Sequence, residues 1–410
     1  MAATNHPVVG APKPSPAPAD GSVPLRIEIR DLQSNNPDQW NLYLLALNAF
    51  KKLDEKTDLS YYGIAGKIYL ICIWTPLTMS KVLQASSQAP AKPSSSRQPR
   101  RFRIPYWDWA AAPASGDYFP NSVGSPKITV ITPQSNGKAV QIQNPLYSYN
   151  FRPLNPVSGD FVDLPFRTWP KALRYPSSTT SVNAVSQEDQ ELQAMTSQFG
   201  GLQGNVNLLM SDPNCKDFSA FSNHARQQNE PGTFASIEDI CKSIHVAVGG
   251  ELGHMSELEY SAFDPVFWLH HVNVDRLFAV LQALNPTSYT INKRAGDGTF
   301  VINRNSTKTA TTPLAPFADA TGSRYWTSEG ARQTTSFNYA YPETQRWKFN
   351  TDSDYQNSVR NYVQQLYGGI SNQFMVMSAA SAKPAAVAKA KTEESLEEGL
   401  GQNVREPPVA

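Results

Sequence analysis

Apolar and polar positions along the chain follow two periods, and long stretches between them follow neither. Residues 23–32 (VPLRIEIRDL) alternate at period two, which predicts a half-buried strand. Pro37-Asp38 then opens a helix over Gln39–Lys52, with Trp40, Leu42, Leu44, Leu45, Leu47 and Phe50 as its apolar positions. Helical spacing returns at Ser186–Met195, Ser236–Val248 and Pro265–Leu284. Residues 110–180 are rich in Pro, Gly and Ser and predict mostly loop, and Gly200-Gly201-Leu202-Gln203-Gly204 reads as a flexible turn. Residues 300–345 read as short strands and turns around Trp326, Tyr339 and Tyr341. The pattern predicts a mainly α fold, a helical core wrapped in long loops and a few short strands.

The two ends break both periods. Residues 1–23 are rich in Pro and Ala, with no basic start and no apolar run, so they predict a disordered, solvated arm rather than a signal peptide. His6 is then an ordinary surface residue. Residues 377–410 hold no aromatic residue and alternate Ala/Lys with Glu runs, a low-complexity tail. The folded body is expected over 24–376. Lys plus Arg number 36 and Asp plus Glu 35, a balance that gives no electrostatic footprint for nucleic acid or an anionic membrane. No stretch of about 18 uncharged apolar residues is present to span a bilayer, so a cytoplasmic location is the expectation. Three cysteines (Cys72, Cys215, Cys241) are too few for a disulfide scaffold.

The chemistry lies in the histidines. There are six, and His245, His254, His270 and His271 fall close together in sequence. Ser236-Ile-Glu-Asp239 has the form of a capping box, and Gly249-Gly250 is the natural stop of the helix it starts. Cys241 and His245 are four apart and share a face of that helix. Asp264-Pro265 starts the second helix. On it His271 lies between Phe267, Val274 and Phe278 and is expected to point inward. His270, about 100° further round, is expected to be a flanking partner unable to share an ion with it. Asp275, one turn on from His271, is expected to accept the proton of the imidazole's other nitrogen. On spacing alone, a metal site and a set of satisfied core histidines both fit, and imidazole suits copper, zinc, iron or nickel alike. The chain holds no H-E-x-x-H, no G-x-S-x-G and no phosphate loop.

Longer runs are more specific. Ile244-His245-Val-Ala-Val-Gly-Gly, Gly253-His254-Met255 and residues 262–276 (AFDPVFWLHHVNVDR) resemble the copper B half of the fungal tyrosinase and polyphenol oxidase family, type 3 copper proteins. Residues 25–32, 39–45, 61–66 and 103–109 (RIPYWDW) agree with that family in order. Tyr339-Ala-Tyr341-Pro resembles the family's tyrosine motif, which packs on an N-terminal arginine; Arg30 is the matching position. The resemblance implies a four-helix bundle with two copper ions, each held by three histidines, and dioxygen between them. Small phenols and o-diphenols are then the substrates, hydroxylated at the ortho position and oxidised to quinones in pigment or aromatic secondary-metabolite synthesis. His245 and His271 match copper B ligands, and His254 and His270 match neighbouring histidines that are not ligands.

The chain also departs from that family. Cys241 stands at the first copper B position, and Lys242 follows where the family often has an Asn. Residues 67–100 replace the copper A region, and no histidine occurs between His6 and His224. At most one copper is therefore expected in the chain as written. A haemocyanin-like, non-catalytic relic is the alternative to an oxidase. The departure at 67–100 is either a true loss or a misplaced exon boundary, and the abrupt return of family register at Arg103 favours the boundary. Sequencing the transcript across codons 60–105 decides between them: a histidine-bearing helix ahead of Arg103 would establish the misplaced boundary, and a message identical to the present chain would establish the loss.

Overall fold

The computed structural model describes residues 6–8, 10–11, 17–68, 102–114, 116–152, 159, 161–223, 236–296, 298 and 302–368. Among these residues the chain is mainly helical. The first helices are α1 (Ile29–Asn35), α2 (Pro37–Phe50), α3 (Tyr61–Ile68) and the single turn α4 (Asn121–Gly124). The long α5 (Glu188–Ser211) and the short α6 (Phe218–Ser222) precede α7 (Ile237–Gly249) and α8 (Val266–Leu284). A turn, α9 (Ser328–Ala331), and α10 (Asp352–Tyr367) follow. The strands are short: β1 (His6–Pro7), β2 (Lys127–Ile131), β3 (Ala139–Gln143), β4 (Lys293–Arg294), β5 (Thr307–Lys308), β6 (Pro313–Ala318) and β7 (Tyr325–Thr327). They pair as a β2–β3 hairpin, a β4–β5 pair and a β1–β6–β7 sheet in which β1 runs parallel to β6.

Four helices make the bundle. α5 packs on α7, α7 on α8, α8 on α10, and α10 returns to α5. The caps explain where α7 and α8 begin. Ser236 Oγ accepts the Asp239 N–H at 3.2 Å while the Asp239 carboxylate accepts the Ser236 N–H at 3.0 Å, the predicted capping box. α7 ends at Gly250, whose φ of +67° suits glycine. At α8 the carboxylate of Asp264 accepts the Val266 N–H at 3.0 Å. Along α7 the residues Ile237, Ile240, Ile244 and Val248 recur at helical spacing and are all buried.

Three local expectations change. The strand predicted over 23–32 shrinks to two bridges, Leu25 with Ala340 and Glu28 with Tyr106. The chain turns helical at Ile29 because the Glu28 carboxylate caps it, accepting the Arg30 N–H at 2.6 Å. α5 runs straight through Gly200–Gly204, the segment predicted as a turn. Phe199, Leu202, Gln203 and Val206 are buried along its inner face, and Gln203 donates to the Leu366 carbonyl on α10 at 3.0 Å. That tertiary packing outweighs an interior glycine cost of roughly 1 kcal/mol each. The N-terminal arm, expected to be solvated, is docked over part of its length: β1 pairs with Phe317–Ala318, Val8 is fully buried, and its carbonyl accepts the Trp326 indole N–H at 3.0 Å. The tail at 377–410 and nearly all of 67–100 lie outside the described residues.

Buried charges tie these elements together. Arg276 on α8 donates to Asp108 at 2.9 Å and to Tyr367 of α10 at 2.9 Å, contacts Glu343 at 2.5 Å and lies over the Tyr106 ring. Tyr367 in turn donates to Asp108 at 2.7 Å. Arg276→Met would leave two buried carboxylates without their cation. The expected result is a loss of about 3–5 kcal/mol in unfolding free energy, read from the urea midpoint.

Candidate metal centre

The inner faces of α7 and α8 meet at four donors. Cys241 and His245 on α7 face His270 and His271 on α8, and one donor atom from each lies within 4.8 Å of all the others. Cys241 Sγ is 3.3 Å from His270 Nε2, and His245 Nε2 is 3.2 Å from His271 Nε2. Phe267 packs its ring 4.1 Å from that of His271, and Trp109 closes over His270 at 6.1 Å. His270 is fully buried and Cys241 nearly so.

Burial decides the protonation of the group. It pushes the Cys241 thiol up to about 12, with Glu238 adding to the effect, so the sulfur keeps its proton until a cation displaces it. It pushes His245 down and His270 and His271 well below their ordinary value, the neighbouring imidazoles adding to the effect on the last two. All three rings are therefore neutral near pH 7. His245 Nδ1 lies 2.6 Å from the Met255 carbonyl, which can only accept. The proton of His245 thus sits on Nδ1, and its Nε2 lone pair faces the cluster. Two nitrogens bound to one ion at about 2.0–2.1 Å and near-tetrahedral angles stand about 3.1–3.4 Å apart. The observed 3.2 Å between His245 and His271 fits that span. Thiol and imidazole together suit copper and zinc.

The segment supplying the Met255 carbonyl is pressed against the end of α7. A Cβ on Gly253 would fall 1.9 Å from the Gly249 carbonyl oxygen, and one on Gly249 would fall 2.2 Å from Ser256 Oγ. Both positions need glycine for this close approach.

Several expected roles change. His270 does not turn away from the cluster: both adjacent histidines reach it. The meeting point lies between their two directions on the helix, and an imidazole is long enough to swing its Nε2 back across roughly 50°. Asp275 accepts from Tyr339 at 2.8 Å and from Tyr341, and lies 3.6 Å from Arg26; those phenols, and not His271, take up its carboxylate. The arginine under the tyrosine motif is Arg26, stacked 3.8 Å from the Tyr339 ring, because the Leu25–Ala340 bridge brings that register beside it. Arg30 instead pairs with Glu28 at 2.7 Å and donates to the Asp117 carbonyl. His254 stands apart from the four donors, in a box of Phe151, Phe166, Trp169 and Tyr260, where its Nδ1 accepts the Leu173 N–H at 3.0 Å. Lys242 is on the outer face of α7 and exposed. His224 lies outside the described residues, and His6 sits in β1. Arg26, the Met255 carbonyl and α10 were not anticipated. The spacing of Tyr355, Val359, Val363 and Tyr367, all buried, was the available signal for α10.

The fold and the sequence are those of one family. The family model for the common central domain of tyrosinase matches residues 82–284. The chain is 38% identical over 401 residues to a tyrosinase of Neurospora crassa, spanning 87% of this chain and 57% of that protein. It is 36% identical over 430 residues to a tyrosinase of Podospora anserina, spanning 93% of this chain and 72% of that one. The solved structure of a mushroom tyrosinase superposes with a TM-score of 0.71 at 22% identity, covering 89% of this chain and 98% of the other. The chain belongs to the tyrosinase family. Proteins of that family bind copper.

His254 supplies a pH test of its packing. Burial pushes it down to about 4 from an ordinary 6.5, so between these values the unfolded chain binds a proton that the folded chain does not. Its contribution to stability is whole above pH 6.5 and falls as the pH drops towards 4, by up to about 3 kcal/mol. Urea midpoints measured from pH 7 to 4.5 are expected to fall with acidification. In His254→Gln, whose amide oxygen can still accept from Leu173, that decline is expected to be shallower.

Proposed function

We propose that this chain is a copper oxidoreductase of tyrosinase type, built for small phenols and o-diphenols with dioxygen as oxidant. In the chain as written the centre holds a single ion and turnover is impaired. One observation carries the reading: four donors converge on one ion-sized point between α7 and α8, while no histidine lies between His6 and His224. His245 and His271 are the ligands proposed on this side, and Cys241 stands at the remaining position of the three. Bound copper would supply redox chemistry with dioxygen.

The protein's own residues hold that centre in place. The Met255 carbonyl keeps the His245 proton on Nδ1 and its lone pair inward. Phe267 packs beside both His245 and His271 and limits their swing. Burial leaves no proton on the ligating nitrogens near neutral pH, so no histidine charge opposes a cation.

A second reading, a copper-binding relic without catalysis, is favoured by the same absence of histidines between His6 and His224. Copper loading of the purified full chain, followed by elemental analysis and an o-diphenol oxidation assay, tests both. One ion per chain and no catechol oxidation above background is the expected result. Two ions with steady quinone formation would refute the single-ion reading, and one ion with turnover would refute the relic.

A further inference from the structure

We propose that the ion is held through a thiolate, by Cys241 Sγ together with His245 Nε2 and His271 Nε2, and that His270 donates its Nε2–H to the bound sulfur instead of ligating. The inference rests on the single-ion reading above and assigns its ligand chemistry.

The tautomers make the assignment. His245 has its proton committed to the Met255 carbonyl at 2.6 Å and so offers Nε2 as a lone pair. His271 Nε2 is 3.2 Å away, a separation that one ion spans. His270 differs from both. Its Nδ1 is buried with no hydrogen-bond partner among the described residues, so a proton placed there would be stranded. Placed on Nε2, the same proton meets Cys241 Sγ at 3.3 Å. A ring protonated at Nε2 has no lone pair to give the ion and instead supports a sulfur anion. Two imidazoles and one thiolate, with a hydrogen bond to the sulfur, form a His2Cys set, which binds softer ions than three imidazoles do.

The binding step balances without an oxidant. As the sulfur–metal bond forms, the Cys241 S–H bond breaks and its proton passes to solvent, one proton for each ion bound.

Cobalt(II) is a suitable probe, since thiols do not reduce it and a thiolate–cobalt bond gives a charge-transfer absorption. The metal-free full-length chain is loaded with cobalt(II), and bound metal and absorption are measured for the wild type, C241S, C241A, H270A, H270Q and H271A. Circular dichroism of each variant confirms that it is folded. The expected wild type binds one ion and shows the thiolate band. C241S and C241A lose the band, and H271A loses the ion. H270A keeps the band with affinity lower by roughly 10–100-fold, and H270Q, with an amide N–H to offer, recovers part of it. One bound ion without a thiolate band, or a spectrum identical in the wild type and C241S, would overturn the thiolate while leaving the single-ion reading intact. H270A losing the ion as fully as H271A would make His270 a ligand and overturn its assigned role. No bound ion, or two, would overturn this inference and the single-ion reading together.

Discussion

The carboxylate of Asp264 is the constraint from which the centre takes its shape. Both of its oxygens receive the Arg174 guanidinium, each at 2.7 Å, and one also accepts the first free N–H of α8. Arg174 reaches on to Glu191 of α5 at 3.5 Å and to the Leu146 carbonyl at 3.0 Å. One fully buried ion pair therefore joins a loop, α5 and the start of α8, with its charge spread over hydrogen bonds as a buried pair requires. Arg276 does the same near the middle of α8. His270 and His271 lie between these two anchors, so their positions relative to α7 are set by electrostatics on either side of them.

How much of this was legible in the sequence follows from which interactions are local. The start of α7 was readable because a capping box involves only Ser236 and Asp239, three residues apart. The clustering of histidines was readable because helical spacing puts Cys241 and His245 on one face. The direction of His270 was not, because it depends on where α7 crosses α8, and that is fixed by the anchors of α8. Asp275 has the right spacing for His271, but spacing cannot reveal that two phenols from Tyr339 and Tyr341 compete for its oxygens. Arg26 and Arg30 are equivalent by parity in an alternating strand, and only the cap at Glu28, which ends the extended stretch, separates them.

The segments on either side of residues 67–100 are held in place by hydrogen bonds. Tyr61 donates to the Phe263 carbonyl at 3.2 Å and accepts from the Trp268 indole at 3.1 Å. On the other side Arg103 donates to the Asn338 carbonyl at 2.8 Å, and the Trp107 N–H reaches the Leu269 carbonyl. Both flanks are thus bonded into the neighbourhood of α8. Their sequence answers to the start of α8, whatever lies between them.

The Met255 carbonyl has a consequence of another kind. Every amino acid carries a main-chain oxygen, so substitution at position 255 can leave the bond to His245 in place, and sequence comparison at that site is blind to it. The restriction moves instead to Gly249 and Gly253, where the two backbones touch and no side chain fits. Selection on how His245 is oriented would therefore be written in two glycines outside the donor set, while Met255, fully buried, answers only to the packing of its side chain.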